Sequence, residues 1–184
     1  QQKFLREEYL TEQYRATRLQ VSRRIWQIIN NPIPTISDMF TQPDNKIDIT
    51  AAINEGKVIL IDTAKSYLGD RDSAIFGAIF IGLIYQATMA REDIDNPMPC
   101  FVYIDEAQEY VKHGTKLFVR LLEQARKYNV GMVILNHFLA QLPDALRFAL
   151  STVTSIKMVG GLGEQDVKTF ASMFRCDPEF IDKH

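Results

Sequence analysis

Cys100-Phe-Val-Tyr-Ile-Asp-Glu-Ala-Gln-Glu-Tyr110 joins an uncharged apolar run to two adjacent carboxylates, Asp105 and Glu106. Residues of high β-propensity without charge are typical of a central strand in a parallel sheet that helices cover on both faces. Ligands of such sheets bind beyond the carboxyl ends of the strands. The stretch therefore predicts an α/β fold with both acids at a ligand-binding edge.

The two acids have a chemistry that fits nucleoside triphosphate hydrolysis. An aspartate at this edge can hold Mg²⁺, which keeps most of its water and takes one or two protein carboxylates plus phosphate oxygens. The adjacent Glu106 can orient or deprotonate the water that attacks the γ-phosphate. Alternatively, both acids stabilise the N-terminus of the next helix through its dipole. The pair alone leaves both interpretations open.

Composition limits the classes of function. The chain has 184 residues, 46% of them apolar, which is enough for one domain with a real core. A net charge of -2 argues against a domain-wide surface for polyanions, so any nucleic-acid contact is expected to be local. Two cysteines, Cys100 and Cys176, provide no disulfide framework and no metal-ligand spacing. These features favour a reducing, cytoplasmic setting.

The termini and the apolar runs predict a soluble piece of a longer protein. No signal peptide is evident, and the longest apolar run, residues 74–85, is too short to span a bilayer. The chain begins with Gln1 inside a helical pattern and stops at His184 directly after a turn signal. We therefore expect an excised segment.

The N-terminal region predicts helix. Residues 4–30 have apolar side chains at helical spacing and end at Asn30-Asn31-Pro32. Their excess of arginine could contact phosphate, although a solvated helix face is the favoured explanation. A loop is expected over 32–46 and a short extended or capping segment over 47–53. The predicted division is a helical segment with linker at 1–46 and an α/β part at 47–184.

Strands and helices alternate in the rest of the chain. Alternation at this spacing predicts an α/β fold with a mostly parallel sheet. Besides the stretch that begins at Cys100, the predicted strands are 57–62, 131–135 and 153–159, and the predicted helices are 72–91, 115–128, 143–150 and 164–174.

Three segments occur in order: Phe101-Val-Tyr-Ile-Asp-Glu-Ala-Gln108, then Leu121-Leu-Glu-Gln-Ala-Arg-Lys-Tyr-Asn-Val-Gly-Met-Val-Ile-Leu135, then His137-Phe-Leu-Ala-Gln-Leu142. Together they resemble the motor ATPases of DNA conjugation and type IV secretion, the coupling-protein family, within the HerA- and FtsK-like translocases. The resemblance covers residues 56–174. It implies a RecA-like sheet flanked by helices, with ATP and Mg²⁺ as cofactors and a hexamer as the working assembly.

The resemblance also implies roles for single residues. Asp105 corresponds to the Walker B magnesium acid and Glu106 to the catalytic base. Arg126 matches a position that can act as an arginine finger on the nucleotide of a neighbouring subunit, where a guanidinium stabilises charge on the transferred phosphoryl group. Alternatively, Arg126 pairs with Glu123 or provides a helix C-terminal charge.

The chain departs from the family after the third motif strand. His137 stands where the family usually has a glutamine that senses the γ-phosphate. Histidine can still donate a hydrogen bond to phosphate, and Asn136 beside it offers an amide. Sensing in an altered form and a purely structural strand end are both open.

No phosphate-binding loop of the form Gly-x-x-x-x-Gly-Lys-Ser/Thr occurs in the sequence. Gly160-Gly-Leu-Gly-Glu164 lacks the lysine and the hydroxyl, so a turn is expected there. In the resembling family this loop lies upstream, beyond a helical insertion whose tail residues 4–30 could form. The 184-residue chain alone is therefore expected not to bind or hydrolyse ATP appreciably.

The missing loop has a structural consequence. In the family, its strand lies between those matching 131–135 and 153–159, and the two would otherwise have open edges. We expect direct pairing, an extra segment or strand exchange between chains to fill that place.

The sequence thus indicates the C-terminal part of a RecA-like motor domain that translocates DNA or protein with other secretion or conjugation proteins. We expect it to be cytoplasmic, and attachment of the parent protein to the inner membrane stays open. One alternative is a degenerate, non-catalytic docking or assembly module. The other is an Asp-Glu-Ala-box helicase domain, although Asn136-His137 stands near the place of that class's Ser-Ala-Thr-like motif.

Overall fold

The computed structural model describes residues 7, 9–44, 46–111 and 114–183. The chain divides into two compact units, the first ending at Ile47 and the second beginning at Asp48. The candidate catalytic residues all belong to the second unit.

The first unit is helical. A 3-10 turn, Glu12–Tyr14, leads into α1, Arg15–Ile29, and α2 follows at Pro34–Thr41. The guanidinium of Arg18 donates to the carbonyls of Tyr9 at 2.7 Å and Thr11 at 2.8 Å, which fixes the turn on the helix. The helix predicted for 4–30 is confirmed over α1, while its residues 4–6 and 8 lie outside the described part.

The loop predicted for 32–46 is wrong where α2 forms. A proline in the first helical turn loses no intrahelical hydrogen bond, so Pro34 is compatible with a helix start.

The second unit alternates helices with two strands. Its elements are α3 Ile49–Asn54, α4 Lys65–Met89, β1 Cys100–Ile104, α5 Gln108–Val111, α6 Thr115–Gln124, β2 Val130–Ile134, α7 Asp144–Val153, α8 Glu164–Phe174 and α9 Pro178–Lys183, with 3-10 turns at Ala125–Tyr128 and Leu139–Gln141.

The two strands form a parallel sheet in register. Cys100 lies opposite Val130 and Ile104 opposite Ile134. The ladder continues past the strand ends, because the Leu135 amide donates to the Ile104 carbonyl at 2.9 Å. The mixed α/β class and the strands at 100–104 and 131–135 are therefore confirmed, within one residue for the second.

The hydrophobic core lies on one face of this sheet. Val102 and Ile104 of β1 belong to one buried cluster with Phe118 and Leu121 of α6 and Leu146 of α7, and these last three are fully buried. The inward face predicted for the helix over 115–128 is confirmed, although its last turn is 3-10. This packing holds the strand ends in place.

The other face of the sheet is open. Phe101 is 63% exposed and Tyr103 is 70% exposed, so the expectation of helices on both faces is wrong for β1 among the described residues. The Phe101 ring lies over Gly131, where an added Cβ would be 2.6 Å from a ring carbon. The ring can lie this close to β2 because Gly131 has no side chain.

The strands predicted at 57–62 and 153–159 do not form. The described sheet has two strands, and α7 extends through Val153. Leu60 is 91% exposed and Met158 is 90% exposed, in stretches that have no regular structure. A strand is stabilised by its ladder, and among the described residues neither segment pairs with a neighbouring strand. Direct pairing of 153–159 with β2 is thus wrong for this chain alone, while strand exchange between chains stays a prediction.

The extended or capping segment expected over 47–53 is instead the helix α3. The Asp48 carboxylate accepts from the Ala51 amide at 2.9 Å, which is a standard N-cap. The sequence prediction missed this capping aspartate.

Helix α4 is longer than predicted and has a break near its start. Gly69 has φ 75° and ψ 162°, so the turn before it is separated from the continuous helix that follows. Glycine adopts this positive φ without the steric cost of a Cβ.

Among the described helices, α4 alone has the length and apolar composition of a membrane span. A core helix passes the same test. Helix α4 contacts α3, α5 and α6 and buries Phe76 and Phe80, which is the behaviour of a core helix.

Candidate functional site

Asp105 and Glu106 meet His137 at one edge of the sheet. The acids follow β1 directly, and His137 follows β2 by three positions. Because the strands are parallel and in register, their carboxyl ends lie side by side. The Ala107 amide donates to the Leu135 carbonyl at 3.0 Å and closes this end of the sheet. The structure thus brings the two acids and His137 to the same edge of the sheet.

Glu106 has a left-handed backbone conformation, with φ 48°. For a residue with a Cβ this costs about 1 to 2 kcal/mol. Its amide donates to Asp105 Oδ1 at 2.9 Å, which holds the turn between the two acids. Strain of this kind concentrates at functional sites, where it orients a side chain.

The side chains of Glu106 and His137 are in contact. His137 Nε2 lies 3.4 Å from Glu106 Oε1, and both side chains are about half exposed or more. A protonated imidazole would form an ion pair here, and a neutral one can still donate from Nε2. Asn136 is half-buried beside them.

The hydrogen bonds argue against helix capping as the whole role of the two acids. Among the described residues, the amide bonded to either carboxylate is that of Glu106 itself, and no amide of α5 donates to them. Helix α5 is a single turn, Gln108–Val111, which has little dipole to stabilise. The carboxylates therefore stay available to a ligand.

Lys65 is a charged neighbour that sequence reasoning missed. Its Nζ lies 2.8 Å from Glu109 Oε2 and 3.8 Å from Asp70 Oδ1. The hydrogen bond that Lys65 donates to Glu109, together with the negative charges of Glu109, Asp70 and Glu106, raises the pKa of Lys65. Lys65 thus brings a positive charge close to the acidic edge.

A second contact fixes the segment that carries Lys65. Thr63 Oγ1 lies 2.6 Å from the Tyr110 hydroxyl, and the Ser73 hydroxyl donates to the Thr63 carbonyl at 2.6 Å. The Tyr110 ring lies against Gly77, leaving no room there for a Cβ. The sequence did contain a signal for this segment. Polar residues directly follow the apolar run 58–61, as they also follow the apolar runs of β1 and β2.

Arg126 lies at the opposite end of the sheet. It belongs to the 3-10 turn before β2, whereas His137 comes after that strand. Four steps of about 3.3 Å along β2 place the ends about 13 Å apart. Arg126 is exposed and makes no ion pair with Glu123 among the described residues. The structure therefore does not bring Arg126 to Glu106 of its own chain.

Asp105 can provide part of a magnesium site. Its Oδ1 accepts from the Glu106 amide, and Oδ2 has no protein donor among the described residues. Within the described chain, no three His, Cys, Asp or Glu side chains form a complete metal cage. One exposed carboxylate suits Mg²⁺, which takes most of its ligands from water and phosphate.

Comparison with known proteins gives no relative. No protein-family model, curated protein or solved structure matches the chain.

Proposed function

We propose that this chain is the C-terminal part of a RecA-like motor domain that hydrolyses ATP to translocate DNA or protein. The observation that carries the proposal is the edge formed by Asp105, Glu106 and His137, with Glu106 in a left-handed conformation. Glu106 has this conformation directly after β1, at the carboxyl end of the parallel sheet. That is where a parallel α/β sheet binds its ligand.

In this proposal, Glu106 accepts a proton from the water that attacks the γ-phosphate. Asp105 would hold Mg²⁺ through water, and the ion would neutralise charge on the phosphates when ATP is bound. His137 is close enough to hydrogen-bond the Glu106 carboxylate and hold it in one orientation. When ATP is bound, the imidazole would instead donate to a phosphate oxygen. A hydrogen-bonded histidine can thus replace an amide sensor.

Arg126 would act on the nucleotide of a neighbouring subunit. Its exposure and its place at the far end of β2 support this arrangement, since it cannot serve its own chain's acids. A ring of subunits would bring the amino end of one sheet to the carboxyl end of the next.

The contact between His137 and Glu106 also favours a second candidate function. If the imidazole holds the carboxylate permanently, the fold serves as a non-catalytic docking module. The two candidates differ in whether replacing Glu106 affects turnover.

The test uses the longer protein proposed here, containing this segment and a phosphate-binding loop. Glu106→Gln should lower the ATPase rate by about 10² to 10⁴, the usual contribution of a general base, with ATP affinity within twofold of the wild type. Glu123→Gln, an exposed acid on α6, is the matched control and should keep its rate. A Glu106→Gln protein with normal turnover would refute the role of the base.

Mixed oligomers test Arg126. Subunits with Glu106→Gln and subunits with Arg126→Ala should each be inactive alone. Mixing them recreates sites with an intact Glu106 on one chain and an intact Arg126 on its neighbour, so part of the activity should return. A mixture as inactive as its components would contradict action between subunits.

A further inference from the structure

A cavity of about 280 Å³ lies between the Leu139–Gln141 turn, α7 and α8. Its wall is contributed in part by Leu139, Phe148 and Met173, which are apolar. Arg147 and Asp166 add one charge of each sign. None of these residues has a role in the ATPase site proposed above.

Asp166 is the unusual member of the wall. The residue is only 9% exposed, yet it carries a carboxylate. Its Oδ2 accepts from the Leu139 amide at 3.3 Å, and Oδ1 has no donor among the described residues. A carboxylate removed from water is costly unless a cation or several donors compensate for the lost hydration. Asp166 Oδ1 is not among the described buried atoms that lack a partner, so it keeps contact with solvent and is available to a donor that enters the cavity.

The cation on the same wall does not compensate for it. The guanidinium of Arg147 pairs with the exposed carboxylate of Asp144, one turn earlier on α7. Among the described residues, Asp166 forms no ion pair. The cavity thus keeps a negative charge that its own chain leaves unpaired.

The remaining wall fits a hydrocarbon stem. Leu139 and Met173 provide apolar contact, and the Phe148 side chain is 71% exposed beside the opening. A cavity wall that has both an aromatic ring and a carboxylate suits a guanidinium, which can stack on the ring and donate to the acid.

We propose that this cavity binds the arginine side chain of a partner protein. The methylene stem would lie between Leu139 and Met173, with the guanidinium donating to Asp166 Oδ1 and stacking on Phe148. The volume suits a single long side chain, which would make it an anchor point for an otherwise exposed peptide segment.

The experiment measures binding of a short peptide, acetyl-Gly-Arg-Gly-amide, to the 184-residue chain by two-dimensional NMR. The comparison peptide carries citrulline, which has the shape of arginine without its charge. We expect the arginine peptide to bind at least tenfold more tightly, with the largest shifts at the amides of Leu139, Phe148 and Thr169. Equal affinities, or no binding of either peptide at millimolar concentration, would overturn the proposal.

Variants locate the charge. Asp166→Asn keeps an acceptor for the Leu139 amide but removes the charge, so the preference for arginine should disappear. Glu164→Gln removes the same charge from an exposed position on α8 and should leave the preference intact. Circular dichroism checks that each variant is folded. Preference for arginine retained by a folded Asp166→Asn protein would refute the role of that carboxylate.

A second substitution tests the cavity without touching Asp166. Ser151 lines the cavity from α7, and Ser151→Phe would fill it. The arginine peptide should then lose at least tenfold in affinity. Unchanged affinity in this variant would place the peptide elsewhere and overturn the proposal.

Discussion

At the scale of single residues, the backbone of Glu106 connects stability with the candidate chemistry. Its φ of 48° is one that glycine adopts freely and glutamate does not. The chain keeps glutamate at this position despite the cost, which is expected where the carboxylate has a function.

In the isolated chain, the Glu106→Gly variant should therefore be more stable than the Glu106→Ala variant. Relief of the left-handed strain outweighs the added flexibility of glycine, and we expect the free energy of unfolding to rise by about 0.5 to 1 kcal/mol relative to Glu106→Ala. The alanine variant is the matched control, since it also lacks the carboxylate but keeps a Cβ. Chemical denaturation gives the comparison, and an alanine variant at least as stable as the glycine variant would show that the turn is unstrained.

Arg91 is a second residue at which the surrounding groups require one particular side chain. It is 1% exposed, and its guanidinium donates to Asn54 Oδ1 at 2.9 Å, to the Tyr128 carbonyl at 3.0 Å and to the Met98 carbonyl at 2.8 Å. These acceptors come from separate parts of the second unit. Arg91 thus ties the end of α4 to the turn that carries Arg126.

Arg91→Lys should cost about 2 to 4 kcal/mol of unfolding free energy, because an ammonium group cannot reach all of these acceptors and leaves buried carbonyls unpaired. Arg126→Lys, an identical change at an exposed position, should stay within about 0.5 kcal/mol of the wild type. Thermal and urea unfolding of both variants give the values. A tolerated Arg91→Lys would mean that water enters the site and replaces the guanidinium.

Cys100 gives a pH-dependent prediction. Burial raises the pKa of its thiol, and the positive charge of Arg91 offsets part of that effect. Since the thiolate is the reactive form, alkylation of Cys100 in a Cys176→Ser chain should reach half its maximal rate above pH 8.5, the ordinary thiol value.

The same shift affects folding. The unfolded thiol loses its proton at a lower pH than the folded one, so the contribution of Cys100 to stability should fall as pH rises from about 8.5. A half-maximal alkylation rate below that value would contradict both statements.

At the scale of elements, the sequence correctly predicted the helices and strands that can be recognised from their own residues alone. The apolar runs of β1 and β2, the inward face of α6 and the bounds of α8 were readable because burial and amphipathic spacing depend on the element itself. Helices α2 and α3 were missed, since six to eight residues show little periodicity. The strand predictions for residues 57–62 and 153–159 were wrong for another reason. A strand needs a neighbouring strand, and an apolar run does not show whether that neighbour is present.

In the candidate site, too, the sequence predicted what depends on the elements themselves and missed what depends on how they pack. Asp105, Glu106 and His137 could be placed together because parallel strands end at one edge. Lys65 and Glu109 could not, since their contact depends on how α4 approaches α5. Residue spacing gives no information about such a long-range approach.

Hydrogen exchange tests the two segments that lack a ladder. The amides of residues 58–61 and 155–159 have no described acceptor and should exchange without protection, whereas Leu135, which donates to Ile104, should be protected. Mass spectrometry of peptides that cover each segment gives the measurement. Protection that increases with protein concentration would show strand exchange between chains, and protection at all concentrations would contradict the unpaired state.

At the scale of the whole molecule, the main core lies entirely within the second unit. Its members extend from Ile81 to Ala149 and surround Phe118, Leu121 and Leu146. All of these described members belong to the second unit. The second unit thus contains the hydrophobic contacts that hold the acidic edge.

A chain beginning at Asp48 should therefore fold and keep the amide spectrum of residues 100–174. Asp48 is retained because it caps α3. NMR spectra of the short and full chains give the comparison, with unfolding midpoints as a second measure. An unfolded short chain would show that the core requires residues before position 48.

Tyr110 and Gly77 connect this core to the acidic edge, since the tyrosine ring fills the space left by the glycine while its hydroxyl holds Thr63. A side chain at position 77 would have to displace the ring. Over evolutionary time, the two positions should therefore be inherited as a pair: any related sequence with a larger residue at 77 should have a smaller one at 110. Such a sequence would also need a new way to hold the segment that ends at Lys65.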